Sequence, residues 1–447
     1  MGKLFGTDGL RARAGEFPLE KGAVYRLGQA LAVFLKERGQ EPRILIGRDT
    51  RESGQWLEEY FCSGFVQAGG QAISAGVITT PGVSFLTRKG GFSAGVVVSA
   101  SHNPYDDNGI KIFSPAGTKI PEDWEDRIEQ ALAKGRLEED KIKIEPVEVD
   151  HTLKAEYLDS LKKSWSGNKQ DKLKLVVDCA NGASSELAPE LFRALNFKVV
   201  AINNTPDGRN INAVCGSLHP ENLARAVVEQ KADLGIAYDG DADRAIWADE
   251  HGHILSGDHT LYLLALYFKE KSRLKNNLVV ATTMSNLGLE QSLAENGIKL
   301  IRTRVGDKYV FEEMINRQTN LGGEQSGHTI LLDYAVTGDG LLTSLKILEI
   351  MLETGRSLSE LVKGFKLYPQ ILINLKVREK VPLKDIPGYN DIIEDVSKEL
   401  GPQGRLEVRY SGTEPLARIM MEGPDEKKLQ PLARRIASLI DGFCGQK

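Results

Sequence analysis

The chain alternates short apolar runs with amphipathic stretches, a pattern typical of the strands and helices of an α/β protein. Residues 20–40 predict a helix that ends at Gly39, because apolar side chains recur there at helical spacing: Val24, Leu27, Leu31, Phe34 and Leu35. The apolar run 43–47 predicts a strand, which a polar loop at 48–53 joins to a second predicted helix carrying Leu57, Phe61, Phe65 and Val66. Strand, loop and helix together form the first half of a βαβ unit.

The same strand, loop and helix pattern begins twice more, at residues 173–178 and 278–283. In each of the three stretches a second predicted strand ends in a loop of reactive polar residues, at 96–101, 234–239 and 321–324. Self-similarity of this kind indicates repeated structural units. We therefore predict three related α/β domains that each offer one loop to a shared cleft, with three unrelated βα units as the alternative.

The last part of the chain has a different pattern. Apolar runs predict three strands and then a final helix, at 371–377, 406–410, 417–422 and 426–440. The predicted fold class is therefore α/β, with three related domains of mixed sheets followed by a smaller C-terminal α+β domain. A charged stretch at 136–150 and later changes of pattern place the domain limits at 1–153, 154–255, 256–369 and 370–447.

Composition and charge indicate which kinds of partner and which cellular compartment to expect. The 447 residues are 41% hydrophobic and 27% charged with a net charge of −5, so nucleic acid and anionic membranes are poor candidates as partners. The first residues lack the apolar run of a signal peptide and nothing later is apolar enough to span a bilayer, which predicts a cytoplasmic protein. The cysteines lie far apart without a CxxC pair and are predicted to be buried free thiols: Cys62, Cys179, Cys215 and Cys444.

The most informative stretch is the segment 95–104, Gly-Val-Val-Val-Ser-Ala-Ser-His-Asn-Pro. Small apolar residues up to Val98 predict a buried strand, and Pro104 stops a strand or helix from continuing smoothly. Ser101 is thus placed on a sharp loop at a strand end, where α/β proteins bind ligands, and His102 follows it directly. This placement favours a nucleophile or phosphate carrier at Ser101. A serine that caps a turn is the alternative.

Three aspartates alternate in the loop 239–244, DGDADR: Asp239, Asp241 and Asp243. Carboxylates at this spacing can converge on one hard cation. An EF-hand is excluded, because Arg244 stands where that loop needs glycine and a predicted strand precedes the loop instead of a helix. A Mg²⁺ site that also takes a phosphate oxygen fits better than a solvated acidic turn.

Two further loops carry ligand-binding chemistry. The loop 322–328, GGEQSGH, combines glycine backbone freedom with the polar groups of Glu324, Ser326 and His328, which suits a sugar; a glycine-rich turn is the alternative. The loop 409–418, RYSGTEPLAR, predicts a phosphate cradle, with arginines on a solvated strand as the alternative. It lacks the GxxxxGK[ST] pattern of a nucleotide P-loop. Its candidate ligands are Arg409, Ser411, Gly412, Thr413 and Arg418.

Two cations stand close to these loops in the sequence. Arg11 belongs to the glycine-rich turn 5–11, FGTDGLR, and Lys111 follows the serine loop. Either could neutralise a transferring phosphoryl group, although each taken alone is typical of a surface cation. The loop 304–308 is a further candidate ligand loop in the third predicted domain.

Together these motifs resemble the α-D-phosphohexomutase superfamily. FGTDGLR, SASHNP, DGDADR, GGEQSGH and RYSGTEP occur in its order and spacing across the whole chain. The form GEQSGH, followed by residues 332–334 and 337–340, is most similar to the bacterial members that act on glucosamine phosphates. The resemblance implies four domains in a heart shape around a central cleft, with the fourth domain closing over it.

The resemblance also implies roles for individual residues. Ser101 would be a phosphoserine whose phosphate, with Asp239, Asp241 and Asp243, holds one Mg²⁺ per chain. Glu324 and Ser326 would bind sugar hydroxyls, and the C-terminal loop would hold the phosphate that is not reacting. Charge neutralisation and proton transfer would fall to Arg11, His102, Lys111, Arg244 and His328.

The implied activity is that of an isomerase, a phosphohexomutase that interconverts glucosamine 6-phosphate and glucosamine 1-phosphate. It would act through a phosphoserine and a bisphosphorylated sugar, which also serves as activator, on the route to UDP-N-acetylglucosamine and the cell wall. Glucose or mannose phosphates as substrates, and a non-catalytic sugar-phosphate sensor, are the alternatives. A homodimer is the candidate assembly, and the sequence does not decide the oligomeric state.

Three positions depart from the family pattern. Ala12 and Ala242 stand where glycine is more common, and Tyr410 occupies a position that varies. None of these departures removes a ligand, so they bear on the choice of substrate and not on the chemistry.

Overall fold

The computed structural model describes residues 4–6, 8–132, 142–167, 173–411 and 415–445. Two compact units are present. The larger comprises Met1–Met284 and Ile298–Lys363, and the smaller comprises Ser285–Gly297 and Gly364–Lys447. The described residues form four β-sheets, three of them in the larger unit.

The first sheet contains strands β1 (Leu10–Arg13), β2 (Arg43–Arg48), β3 (Gln71–Val77), β4 (Ala94–Val98), β5 (Asp107–Phe113) and β6 (Glu148–Val149). Its helices are α1 (Lys21–Glu37), α2 (Glu52–Gln67), α3 (Thr80–Lys89) and α4 (Glu122–Leu132). The strand order is β1-β5-β4-β2-β3-β6. All five residues of β4 are buried, because the strand lies inside the sheet with both faces covered. The apolar stripe of α1 is buried as predicted, whereas Val66 at the end of α2 is 37% exposed.

The second and third sheets complete the larger unit. The strands of the second sheet are β7 (Lys174–Asp178), β8 (Lys198–Ile202), β9 (Leu234–Tyr238), β10 (Ala245–Ala248) and β11 (Ile254–Leu255). The helices in this part of the chain are α5 (Thr152–Ser164), α6 (Ser184–Ala194) and α7 (Glu221–Gln230). The strands of the third sheet are β12 (Leu278–Thr282), β13 (Lys299–Thr303), β14 (Leu321–Gly323) and β15 (Thr329–Leu331). The helices in this part of the larger unit are α8 (Gly257–Glu270), α10 (Asp307–Asn316), α11 (Gly340–Thr354) and α12 (Leu358–Val362). Their strand orders are β11-β10-β9-β7-β8 and β13-β12-β14-β15.

The three sheets of the larger unit share one topology. In each, a first strand (β2, β7 or β12) pairs in parallel with two later strands, one on either side. The second of these partners (β4, β9 or β14) then forms an antiparallel pair with the next strand (β5, β10 or β15). This common order confirms the prediction of three related α/β units with mixed sheets. The three polar loops follow β4, β9 and β14, which are equivalent strands.

The smaller unit has the α+β architecture predicted for the end of the chain. Its sheet, of order β16-β18-β17, is antiparallel and consists of β16 (Gln370–Lys376), β17 (Arg405–Tyr410) and β18 (Leu416–Glu422). Its helices are α9 (Leu287–Glu295), α13 (Tyr389–Leu400) and α14 (Glu426–Cys444). The buried Glu422 carboxylate accepts hydrogen bonds from the Leu287 amide and the Asn286 side chain, and so ties the start of α9 to β18.

Two further predictions can be compared with the structure. All four cysteines are buried and free, which confirms the prediction for their side chains. Of the helices in the described part of the chain, none combines the length and the apolar character that a membrane crossing requires.

Candidate active site

Ser101 lies three residues beyond the end of β4, in a loop with a left-handed backbone at this position (φ of +53°). Its side chain is buried, and its Oγ donates a hydrogen bond of 2.6 Å to Asp239 Oδ2. The His102 Nδ1 atom lies 3.3 Å from the same Oγ. The loops after two equivalent strands, β4 and β9, are therefore in direct contact through the predicted phosphate carrier and the first predicted metal ligand.

The three aspartates of the loop after β9 form a compact buried group. Oxygen atoms of Asp239, Asp241 and Asp243 lie within 4.8 Å of one another. The Asp241 Oδ1 atom is buried and accepts no hydrogen bond from the described residues. A Cβ on Gly240 would lie 2.5 Å from the Ser101 carbonyl oxygen, so the close approach of the two loops requires glycine here. An all-oxygen donor set with an unsatisfied buried carboxylate oxygen fits a hard divalent cation such as Mg²⁺.

The electrostatics of this group agree with a cation site. Burial, together with the negative charges of Asp243 and Asp241, raises the pKa of Asp239 well above its ordinary value. Burial acts on Asp243 in the same direction, but Lys111 and His328 outweigh it and lower the pKa of that carboxyl. Carboxylates that repel one another in this way gain most from a bound cation, which would neutralise them together.

Lys111 lies inside the site and not on the surface. It stands on β5 opposite Val97 of β4, and its side chain is almost completely buried. The Nζ atom lies 2.9 Å from Asp241, 3.0 Å from Asp8 and 3.6 Å from Asp243. Burial alone would lower the pKa of Lys111, but the three carboxylates outweigh burial and raise this pKa above its ordinary value. The ammonium therefore stays charged.

Arg244 and His102 are neighbours on one side of the serine. The Arg244 Nη1 atom lies 3.0 Å from His102 Nδ1, and its Nε lies 3.8 Å from Asp243. Burial and the charges of Arg244 and Arg11 lower the pKa of His102 to about 4, so its ring is neutral at neutral pH. The neutral ring can therefore accept the hydrogen bond from Arg244.

The loop after β14 is closed by its own backbone. The Glu324 amide donates to the His328 carbonyl at 2.8 Å, and the Glu324 carboxylate accepts the Gly306 amide at 3.1 Å. Ser326 at the tip is exposed. The loop thus fixes the Glu324 side chain and leaves the Ser326 hydroxyl accessible to a ligand.

His328 is held between two carboxylates and an amide. Its Nδ1 lies 3.6 Å from Asp243 and its Nε2 lies 3.7 Å from Asp307. Burial lowers its pKa, but these carboxylates outweigh burial and raise the pKa to about 9. The Gly338 amide donates to Nε2 at 3.0 Å, which requires a lone pair on that atom and therefore a neutral ring. A cation on the aspartates would remove much of the negative charge that raises this pKa, and so would favour the neutral ring.

Seven of the predicted site residues of the larger unit line a cavity of about 640 Å³, a volume in the range of small-molecule sites. The other four are not among its lining residues: Ser101, Lys111, Asp239 and Asp241. Its walls come from loops of all three sheets and include Arg11, His102, Asp243, Arg244, Glu324, Ser326 and His328. Residues 305–307, from the further candidate loop, also line it. A larger crevice of about 900 Å³ lies elsewhere in this unit and contains none of these residues, so we assign the site to the smaller cavity.

The predicted phosphate cradle is in the smaller unit. Arg409 on β17 and Arg418 on β18 are directly opposite each other in the antiparallel register. Arg409 also lies 3.4 Å from Glu407. Two guanidinium groups side by side can bind one anion together. The Ser411 amide donates to the Leu416 carbonyl at 2.8 Å, which closes the base of the loop. Gly412 and Thr413 lie outside the described residues.

Comparison with known proteins identifies the family. Models of the four domains of phosphoglucomutase/phosphomannomutase match the chain in order, domain I at residues 2–139, domain II at 155–252, domain III at 256–368 and the C-terminal domain at 372–439. The chain belongs to this family. The resemblance found in the sequence motifs is thereby confirmed.

The curated relatives narrow the similarity within the family. A phosphoglucosamine mutase of Solibacter usitatus (strain Ellin6076) is 48% identical over 445 residues, with 99% of each chain covered. Among solved structures, a phosphoglucomutase/phosphomannomutase family protein of Burkholderia thailandensis has a TM-score of 0.80 at 22% identity, covering 98% of this chain and 97% of that one. The Aspergillus fumigatus N-acetylphosphoglucosamine mutase in complex with GlcNAc-6P and magnesium has a TM-score of 0.66 at 18% identity, covering 98% and 95%. These two structures confirm the fold.

Two charged residues of the phosphohexomutase site, Asp8 and Lys119, were not among the predicted site residues. Asp8 binds Lys111, Lys119 and Arg11, which together outweigh burial and hold the pKa of Asp8 well below its ordinary value. Lys119 also lies 2.6 Å from Asp307 at the start of α10. Asp8 could have been found, because it is part of the FGTDGLR motif. Lys119 carries no such signal, since its two partners lie far from it in the sequence.

Proposed function

We propose that this chain is a phosphohexomutase that interconverts glucosamine 6-phosphate and glucosamine 1-phosphate. The observation that carries the proposal is the buried Ser101 hydroxyl, 2.6 Å from an aspartate of a three-carboxylate group. A hydroxyl in this position can carry a phosphoryl group next to a cation. The choice of glucosamine phosphates rests on the curated relatives, which carry the name phosphoglucosamine mutase at 42–48% identity.

Ser101 in its phosphorylated form, together with Asp239, Asp241 and Asp243, would hold one Mg²⁺. When bound, the ion supplies positive charge next to the phosphoryl group in transfer. The chain adds cations of its own. Lys111 contacts two of the aspartates, and Arg244 and Arg11 line the same cavity. Their charge neutralises the phosphoryl oxygens, and the burial of Lys111 keeps water from competing for its ammonium.

The sugar would occupy the cavity of about 640 Å³. The Glu324 carboxylate and the exposed Ser326 hydroxyl are placed to bind sugar hydroxyls. His102 Nδ1 lies 3.3 Å from Ser101 Oγ, so this ring is within reach of a proton that leaves or joins the reacting oxygen. His328, at the opposite end of the aspartate group, is the second candidate for proton transfer.

The distal phosphate of the substrate would be bound by the C-terminal loop. Arg409 and Arg418 supply forked donors on neighbouring strands, and Ser411 supplies a hydroxyl between them in sequence. Gly412 and Thr413 complete the proposed set. Binding through charge and several donors suits a loop that must accept either end of the sugar.

The reaction proceeds in two balanced transfers. In the first, the bond between Ser101 Oγ and phosphorus breaks and Oγ takes up a proton, while phosphorus bonds to the free hydroxyl oxygen of the sugar, which gives up its proton to a base in the site. The resulting bisphosphorylated sugar turns over. In the second transfer Ser101 Oγ gives up its proton and bonds to the other phosphorus, and the sugar oxygen that is released takes up a proton. The same bisphosphorylated sugar would phosphorylate an idle enzyme and so act as activator.

Three broader expectations belong to this proposal. The four matched family models support a division into domains near 1–153, 154–255, 256–369 and 370–447. A cytoplasmic location and a homodimer both remain predictions from the sequence and the resemblance.

The decisive experiment is a coupled assay that compares glucosamine 6-phosphate with glucose 1-phosphate and mannose 1-phosphate. We expect kcat/KM for the glucosamine phosphate to exceed the other two by at least about tenfold. A preference for glucose or mannose phosphate would move the assignment to that substrate class. Intact mass of the protein before and after substrate tests the sensor alternative, which requires that no phosphoryl group leaves Ser101.

A further inference from the structure

Arg51 is a buried cation that the proposed chemistry does not use. It stands in the polar loop after β2, immediately before α2, and its side chain is fully enclosed. Taking a guanidinium out of water is costly unless every donor is matched. Here Asp49 supplies the counter-charge, with its Oδ2 atom 2.9 Å from Arg51 Nε.

The remaining donors of Arg51 all point at the loop that carries Ser101. Nη2 donates to the Ser101 carbonyl at 3.0 Å and to the Asn103 carbonyl at 2.9 Å. Nη1 donates to the Asp107 carbonyl at 3.1 Å and also to the Pro104 carbonyl. The Arg51 side chain therefore donates hydrogen bonds to four backbone carbonyls within residues 101–107.

Asp49 reaches the same loop from its other side. Its Oδ2 also accepts the Ser99 hydroxyl at 2.6 Å, and the Ser99 Oγ accepts the Ser101 amide at 2.9 Å. Both backbone groups of Ser101 are thus fixed, the amide by Ser99 and the carbonyl by Arg51 together with the Asn212 side chain, which donates to it at 2.9 Å. This matters because Ser101 has a φ of +53°, a conformation that persists in a non-glycine residue only where the surroundings over-determine it.

We propose that Arg51, acting with Asp49 and Ser99, is the positioning residue that holds Ser101 in its left-handed conformation with Oγ directed at Asp239. The inference rests on the proposed function, in which Ser101 carries the phosphoryl group. Lysine could not replace Arg51, since an ammonium on a flexible stem lacks the planar fork that spans four carbonyls.

The test compares Arg51→Lys with Arg48→Lys. Arg48 lies in the same segment and pairs with Glu58 at 2.8 Å, away from the serine loop. For Arg51→Lys we expect kcat with glucosamine 6-phosphate to fall by roughly 10- to 100-fold with KM unchanged, because Oγ is misplaced while the substrate contacts remain. The rate at which glucose 1,6-bisphosphate phosphorylates Ser101, followed by intact mass, should fall in parallel. Arg48→Lys should match the wild type in both measurements.

A purely structural role for Arg51 predicts a lower melting temperature but a wild-type kcat and phosphorylation rate for the folded variant, and that result would overturn the proposal. If Arg51→Lys does not fold, Ser99→Ala decides, because it removes one hydroxyl and leaves the ion pair. It should slow the phosphorylation of Ser101 several-fold, and a wild-type rate would contradict the proposal. If the wild type is neither phosphorylated on Ser101 nor active, the proposed function fails instead.

Discussion

Ser101 in the larger unit and Arg418 in the smaller unit are both proposed to contact phosphate, and their surroundings differ. The Ser101 side chain is 1% exposed, and its hydroxyl, amide and carbonyl are each bound by a different residue. Arg418 is half-buried and faces the like charge of Arg409 across the strand pair. In the first region hydrogen bonds hold each polar group of Ser101, whereas the second region places two guanidinium groups side by side, where they can bind one anion together.

The difference follows from what each phosphate has to do. A phosphoryl group in transfer needs its donor oxygen fixed to within a fraction of an ångström, because misplacement costs rate. A phosphate that only anchors the substrate needs charge and several donors, and an exact approach is less important. The comparison therefore predicts that changes near Ser101 affect kcat and that changes at the cradle affect KM.

The largest effect is expected from Ser101→Ala. This variant removes the only oxygen proposed to bond to phosphorus, so turnover of glucosamine 6-phosphate should fall by roughly 10⁴-fold or more. The coupled assay measures it, with Ser93→Ala, a change in a loop before β4, as the control that keeps activity. Full activity in Ser101→Ala would remove the basis of the comparison.

Removal of divalent cations should have the next largest effect. Chelation followed by desalting should lower kcat by roughly 10²- to 10³-fold, because charge neutralisation at the phosphoryl group is lost, and added Mg²⁺ should restore it. Mg²⁺ should also raise the melting temperature of the wild type, since a ligand that binds only the folded state stabilises it.

The variant Asp241→Asn tests whether the three aspartates form the Mg²⁺ site. The variant should lose most of the Mg²⁺-dependent rise in melting temperature, because one of three ligands is neutral. Asp249→Asn is the matched control, since Asp249 is equally buried and follows the next strand of the same sheet. If both variants respond to Mg²⁺ as the wild type does, the three aspartates do not form the metal site.

Arg418→Lys should have a smaller effect of a different kind. Loss of the forked donor weakens phosphate binding equally in the ground state and the transition state, so KM should rise about tenfold while kcat changes little. Steady-state kinetics at two salt concentrations measure this, because the half-buried charge is partly screened by salt. Arg435→Lys, on the exposed side of α14, is the control. A fall in kcat with unchanged KM would contradict the proposed division of labour between the two regions.

The sequence was sufficient for those parts of the site that depend on local order. The loops after β4, β9 and β14 could be found because a strand end and its polar residues are adjacent in the chain. Lys119 and Asp307 could not be paired in this way, because they are 188 positions apart. Lys119 lies between β5 and α4, and Asp307 begins α10. The environment of Lys111 depends on the antiparallel return of β5, which apolar periodicity does not predict.

One missed element did leave a signal. In α13, Tyr389, Ile392, Ile393, Val396 and Leu400 recur at helical spacing and pack against the core of the smaller unit. The stretch is short and charged between these positions, which weakens the pattern. For the site, the contacts that sequence patterns miss are those between distant segments, such as Lys119 with Asp307.

The smallest expected effect is a pH dependence of stability that distinguishes the larger unit from the smaller one. All seven histidines lie between residues 102 and 328, so residues 364–447 contain none. His259, near the start of α8, accepts the Ser256 amide on Nδ1 at 3.2 Å, and burial lowers its pKa to about 4. Protonation would break this hydrogen bond and place a positive charge at a helix N-terminus.

The pKa of His259 is about 4 in the folded chain and about 6.5 in the unfolded chain, so the free energy of unfolding should fall as the pH falls. Between them the unfolded chain binds more protons, so His259 should cost the larger unit roughly 2 kcal/mol of stability between pH 7 and pH 5. Urea unfolding followed by tryptophan fluorescence measures this unit alone, because all four tryptophans lie within it: Trp56, Trp124, Trp165 and Trp247. His259→Gln should lose less stability than the wild type over the same interval. Equal losses in the two proteins would show that His259 titrates normally when folded.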